Sequence, residues 1–154
     1  MSDILTCPAC GSSNIATSRL DTSLPVPMAE PVIYSERVDL CGACGSEGDF
    51  ARENDAAVEA ALAAAGKRSA RAIIESLAAD GISMAYFERA FGLPQRTMAR
   101  WKAGECSAGS LALLRVVRSY PWVLRVAERS FSDRVARKEL VRASASSGVR
   151  AGSR

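Results

Sequence analysis

A chain of 154 residues, 48% of them hydrophobic, can bury one ordinary core or two small ones, and its character changes near the middle. It contains no histidine, which excludes hydrolases that need an imidazole base and metal sites of mixed cysteine and histidine, so any metal must be held by thiolates. The formal charge of +3 hides a split: residues 1 to 65 hold three basic and ten acidic side chains, whereas residues 66 to 154 hold seventeen and seven.

The first fifty residues are rich in Pro, Gly, Ser and Thr, with β-leaning runs at Asn14 to Leu20 and Val32 to Leu40, the pattern of short strands between turns. Too few of them are apolar for packing alone to hold a fold. Within this stretch stand two matching pairs, CPACG at Cys7 to Gly11 and CGACG at Cys41 to Gly45. Two intervening residues let both sulfurs of a pair converge on one ion, and the glycine after each second cysteine permits the positive φ that turns the backbone around it. Cys7, Cys10, Cys41 and Cys44 are therefore the expected ligands of one tetrahedral structural Zn²⁺ per chain. With all four positions taken by sulfur, no site is left for an activated water, and no catalytic residue is expected anywhere in the chain. Cys106 stands alone as a free thiol.

From Arg52 to Ala65 the chain turns Ala- and Glu-rich, and the sequence predicts a connecting helix that Gly66 ends. Five helical segments follow. The first runs from Ser69 to Ala79 with Ala70, Ile73, Ile74 and Leu77 on one face, and Asp80-Gly81 stops it. Ser83 is the N-cap of the second, which ends at Gly92. Pro94 opens the third, Gln95 to Lys102, and Ala103-Gly104 closes it. The fourth spans Leu111 to Ser119 and the fifth lies around Trp122 to Ala127. Beyond it the sequence fades into Ser, Ala, Gly and Arg, the composition of a frayed tail.

Residues Ile82 to Gly104 have the layout of a helix-turn-helix. Phe87 and Phe91 are packing residues, Gly92 makes the tight turn, and Met98 and Trp101 anchor the next helix. If Met98 and Trp101 face inward, Gln95, Arg96, Thr97 and Arg100 face outward. Arginine can donate two hydrogen bonds to guanine and glutamine can bond adenine in the same two-point way, so Gln95, Arg96 and Arg100 are the candidate base readers. Thr97 and Lys102 stand where phosphate is met. The basic C-terminal part suits a polyanion, and the acidic N-terminal part suits a basic protein.

Together the halves resemble the MqsA-type antitoxins, which combine a YgiT-type zinc finger with a helix-turn-helix. The resemblance covers about residues 5 to 127. It rests on the two cysteine knuckles, on FGLPQRTMARWKAG at Phe91 to Gly104, and on LLRVVRSYPWVL at Leu113 to Leu124. It implies an autoregulating transcription repressor that binds a palindromic operator in double-stranded DNA as a dimer through its C-terminal domain, while the zinc module binds a toxin. Arg96 and Arg100 fall at that family's base-reading positions. Two positions depart from its pattern: Met84 replaces a glutamine, and Glu88 stands where a small residue packs against the reading helix. Other readings in keeping with the sequence are a stand-alone or phage-type regulator with no toxin and a zinc-ribbon adaptor that only binds proteins.

The expected architecture is thus a zinc-ribbon-like β module (residues 1–50), a helical linker (51–68), an all-α, five-helix, XRE/Cro-like domain (69–128) and a basic, partly disordered tail (129–154). The protein is expected to be a DNA-binding regulator and not an enzyme. No basic stretch followed by an apolar run opens the chain, and no window approaches the roughly eighteen apolar residues of a spanning helix, so a cytoplasmic protein without a membrane partner is expected. Tyr120, Trp122 and Val123, near the last helix, are either homodimer contacts that a small domain leaves partly unburied or part of the domain's own core.

Overall fold

The computed structural model describes residues 5–148, and the chain divides into two compact units between Ala65 and Gly66. In the first unit the two predicted strands are present and longer than expected: β1 (Ile15–Val26) and β2 (Ala29–Cys41) pair antiparallel from Ile15 opposite Cys41 to Val26 opposite Ala29. Pro27 and Met28 form the two-residue turn between them, with Met28 at φ 64°. Proline followed by a residue at positive φ is the pattern of a type II turn. A two-residue β3 (Glu47–Gly48) pairs with the end of β2 and completes a sheet of order β1-β2-β3.

The apolar core of this unit is small, as its composition requires. Val26, Val32 and Ala61 are buried, with Leu24, Ala29 and Tyr34 packed against them. A charged network supplements it. Asp39, fully buried on β2, accepts hydrogen bonds from the Thr17 hydroxyl at 2.6 Å, the Arg37 Nε at 2.9 Å and the Phe50 amide at 3.1 Å. Burial alone would raise its carboxyl pKa; the bonds from Thr17, Arg37 and Phe50 outweigh that and hold it below the usual range. Arg37 also donates to Glu53 at 3.0 Å, and its backbone exchanges bonds with the Asn54 side chain at 2.7 and 2.9 Å. Asp49 accepts from the Asn54 amide at 2.7 Å, satisfying a donor at the start of the next helix.

That helix, α1 (Asn54–Ala79), is continuous for 26 residues and replaces the expected pair of helices separated at Gly66. One glycine costs a helix interior about 1 kcal/mol, which the Ala-rich flanks outweigh. In the second unit Ala70, Ile73, Ile74 and Leu77 of α1 are buried to 2% exposure or less, the predicted face. Around them lie α2 (Met84–Phe91), α3 (Thr97–Ala103), α4 (Ala108–Ser119) and α5 (Val123–Ala127), contributing Phe87, Met98, Trp101, Leu114, Val117 and Leu124 to one core. The fourth helix starts three residues earlier than expected because Ser107 caps it, its hydroxyl accepting from the Ser110 amide at 3.1 Å.

The largest correction falls beyond Glu128. Residues expected as a frayed tail form a sixth helix, α6 (Asp133–Gly148), so the helical part has one helix more than the five expected. Arg125 of α5 pairs with the 7%-exposed Glu139 of α6 at 2.6 Å, a tertiary contact that local composition could not reveal. The last expected tail residues, 149–154, lie outside the described residues. None of the described helices is long and apolar enough to cross a membrane.

A Cβ built on Gly66 meets nothing nearer than the Leu111 Cδ2 at 4.0 Å, ordinary contact distance. Gly66→Ala is therefore expected to stabilise the protein by about 0.5 to 1 kcal/mol in denaturant unfolding, because the glycine contributes only backbone entropy to the unfolded chain. A destabilised variant would mean that α1 must bend there.

Candidate functional site

The first site is built by the two cysteine knuckles, one preceding β1 and one at the end of β2. They fold alike. In each, the glycine amide bonds back to the first cysteine's carbonyl (Gly11 to Cys7 at 2.8 Å, Gly45 to Cys41 at 2.9 Å), and the first cysteine's amide bonds to a serine carbonyl (Cys7 to Ser12 and Cys41 to Ser46, both 2.9 Å). Gly11 at φ 74° and Gly45 at φ 75° occupy the left-handed region that the sequence pattern requires. The pairing of Ile15 with Cys41 brings the knuckles together, so all four sulfurs lie within 4.8 Å of one another.

Cys7 and Cys44 sulfurs are 3.6 Å apart, as are those of Cys10 and Cys41. A tetrahedral ion with metal–sulfur bonds of about 2.3 Å places its sulfurs roughly 3.8 Å apart, so the cluster has the dimensions of a four-thiolate centre. Its electrostatics point the same way. The hydroxyl and amide of Ser46 bring Cys44 down to about 6, and the amides of Cys44 and Ala43 lower Cys41. For Cys10 the pull of the Ser12 amide is outweighed by the sulfurs of Cys44 and Cys41, and its thiol is pushed up to about 12. Four sulfurs at this separation cannot all carry charge unless a cation lies among them; a divalent ion removes that conflict. Cys7 and Cys41 are buried and Cys10 and Cys44 exposed. Cys106 belongs to the second unit, where it packs against the helical core and burial raises its thiol pKa.

The second site is the short helix α3 and the turn before it. Ser83 caps α2 by accepting from the Tyr86 amide at 3.1 Å, and Gly92, at φ 64°, ends it with the Gly92 and Leu93 amides bonded to Arg89 and Glu88 carbonyls. These are the predicted start and stop. The next segment differs from expectation. Gln95 and Arg96 form a turn, with Arg96 at φ 64°, and α3 begins only at Thr97. Thr97, expected on the outer face, is 5% exposed and its hydroxyl donates to the Pro94 carbonyl at 2.7 Å. It stabilises the turn and does not reach solvent. Lys102 is half-buried and paired with Glu75 of α1 at 3.1 Å, so it is partly committed within the protein.

Gln95, Arg96 and Arg100 are exposed as expected, and Ala99 joins them on the same surface. Met98 at 1% and Trp101 at 8% exposure anchor the opposite side. Phe87 lies under both helices, 4.9 Å from Phe91 and edge-on to Trp101 at 6.3 Å. The contact missed in the sequence is Glu88. Its buried carboxylate accepts from the Met98 amide at 2.8 Å, satisfying one of the unpaired donors at the start of α3 and placing negative charge at the helix's positive end. Only its departure from the expected small residue marked it out.

No protein-family model matches the chain, and comparison with curated proteins and with solved structures finds no match.

Glu88→Ala leaves a buried amide without its acceptor and removes the link between α2 and α3. It is expected to cost about 1 to 3 kcal/mol in denaturant unfolding and to raise hydrogen exchange first at the Met98 and Ala99 amides. Unchanged protection at those amides would show that α3 does not depend on the carboxylate.

Proposed function

We propose that the chain is a sequence-specific transcription repressor that reads double-stranded DNA with the surface formed by Gln95, Arg96 and Arg100. The observation that carries this reading is the two-sidedness of α3. Met98 and Trp101 fix one side in the core, while the residue types able to bond base edges stand free on the other. Only Arg100 projects from the helix itself. Gln95 and Arg96 project from the turn at its N-terminal end, the end that enters the groove in helix-turn-helix readers. The net charge of +10 from residue 66 onward supplies the attraction to phosphate that such a contact needs.

The four-thiolate centre is proposed to hold Zn²⁺ as a structural ion, since the sulfur donor set and tetrahedral size suit zinc and leave no coordination position for substrate. The protein on this reading is a regulator and not an enzyme. The resemblance to MqsA-type antitoxins supports an autoregulator acting as a homodimer on a palindromic operator in the cytoplasm. The acidic N-terminal unit then offers a surface for a basic toxin. Tyr120, 55% exposed and edge-on to Trp122 at 6.4 Å, lies beside the exposed Leu140 and supports a dimer contact in the C-terminal unit.

A gel shift with the DNA upstream of its own gene tests the DNA reading. Arg96→Ala and Arg100→Ala are each expected to cost about 1 to 3 kcal/mol on the cognate site and to relax preference at one base position, whereas Lys102→Ala should weaken all sequences alike. Equal losses on cognate and random DNA for all three variants would remove base reading from the proposal. For the metal, a strong chelator is expected to unfold the N-terminal unit while the signals of Trp101 and Trp122, both in the helical unit, persist. An N-terminal sheet that keeps its protected amides in chelator would refute a structural ion.

A further inference from the structure

The α5–α6 corner holds a hollow of about 610 Å³ that the DNA-reading surface does not use. Its rim is formed by Arg125, Glu128, Arg129, Arg134, Lys138 and Glu139. Of the two acids, Glu139 is paired with Arg125 at 2.6 Å, whereas Glu128 is exposed at the rim and in none of the ion pairs among the described residues. Arg129, Arg134 and Lys138 are exposed, and among the described residues none of them is in an ion pair.

Three unpaired cations around one concavity repel one another, and such an arrangement has to be held by something else. Here it is the backbone. Ser130 and Phe131, between α5 and α6, both have positive φ (53° and 56°), a conformation that costs a residue with a side chain on the order of 1 kcal/mol or more. The bend is fixed by the Ser130 amide bonding to Ala127 at 2.9 Å, the Phe131 amide to Val126 at 3.0 Å, and the Phe131 ring lying 6.2 Å from Phe91. The bend lies between Arg129, just past the end of α5, and Arg134 and Lys138, four residues apart on one face of α6, and all three line the hollow.

We propose that this hollow is a phosphate-binding site, in which Arg129, Arg134 and Lys138 close on the oxygens of a phosphate group. Arginine matches phosphate with its planar fork and lysine adds a point charge; Arg125 neutralises Glu139, and Glu128, the one rim acid outside an ion pair, is outnumbered by Arg129, Arg134 and Lys138. The phosphate can come from the backbone of DNA or from a small soluble polyphosphate. The second source does not rest on the DNA reading.

The test uses full-length, metal-loaded protein and inorganic tripolyphosphate as the probe, followed by calorimetry and by the NMR signals of the arginine Nε–H groups. The wild type should bind the probe and shift Arg129 and Arg134 selectively, and Arg134→Ala/Lys138→Ala should weaken binding at least tenfold, whereas the charge-preserving pair Arg134→Lys/Lys138→Arg should retain most of it. A second arm measures the salt dependence of binding to random duplex DNA, where loss of two phosphate contacts should reduce the slope of log K against log salt by about 2. Probe binding lost in the alanine pair assigns a soluble phosphate; a reduced slope assigns the DNA backbone. No probe binding together with an unchanged slope overturns the proposal, as does equal loss in the charge-preserving pair. If the alanine pair loses helical signal, the arginine shifts of the wild type decide: movement of residues elsewhere, with Arg129 and Arg134 still, overturns it.

Discussion

A helix of seven residues cannot stand by itself in water, and α3 exists because its surroundings hold it. The Glu88 carboxylate binds its first turn, Met98 and Trp101 hold one side against Phe87, and Gly104 at φ 110° lets the chain leave, with amides bonded to Arg100 and Trp101 carbonyls. Each contact fixes a different degree of freedom: position along the axis, rotation about it, and exit direction. The exposed row of Gln95, Arg96 and Arg100 inherits its placement from these buried groups. An exposed surface on so short a helix is only as well oriented as that carboxylate and those two side chains make it.

The N-terminal unit meets the same shortage of local stability in another way. Its buried apolar residues are few and small, and its long hairpin is tied by the charges around Asp39 at one place and by four sulfurs at another. Both devices are polar and both act across distant parts of the chain. A buried ion pair contributes little net energy, since desolvation offsets most of the attraction, but breaking it is costly, so it selects one register more than it adds stability. On the proposed reading the strong term comes from the thiolate centre, where ion binding and folding would be one equilibrium.

What could be read from the sequence was local. The cysteine knuckles, the Ser83 cap, the Gly92 and Gly81 stops and the inward face of Ala70, Ile73, Ile74 and Leu77 each depend on residues within a turn or two of one another, and each stands where the pattern placed it. Two features depart from the local pattern. Gly66 weighed alone predicts a stop, whereas the helix weighs the sum of its neighbours. Thr97 and the start of α3 differ from expectation because the turn at Gln95 and Arg96 is held by Glu88 and Pro94, and a positive φ at an arginine leaves no mark in composition. Asp39 and its partners were invisible for the related reason that Thr17 and Phe50 meet it only once the sheet is formed.

The region beyond Glu128 shows how composition misleads when charge is dense. Polar, arginine-rich sequence resembles a solvated tail, yet arginine, lysine, glutamate, leucine and alanine are also good helix formers, and Asp133 in the first turn favours the helix's positive end. What decides between the two states is one partner outside the segment. Arg125 gives Glu139 a place to be buried, and once that residue is fixed, Arg134 and Lys138, four residues apart on an adjoining face of α6, line the same hollow as Arg129. The same ion pair that orders α6 therefore also gathers the cations that gain from an anionic guest.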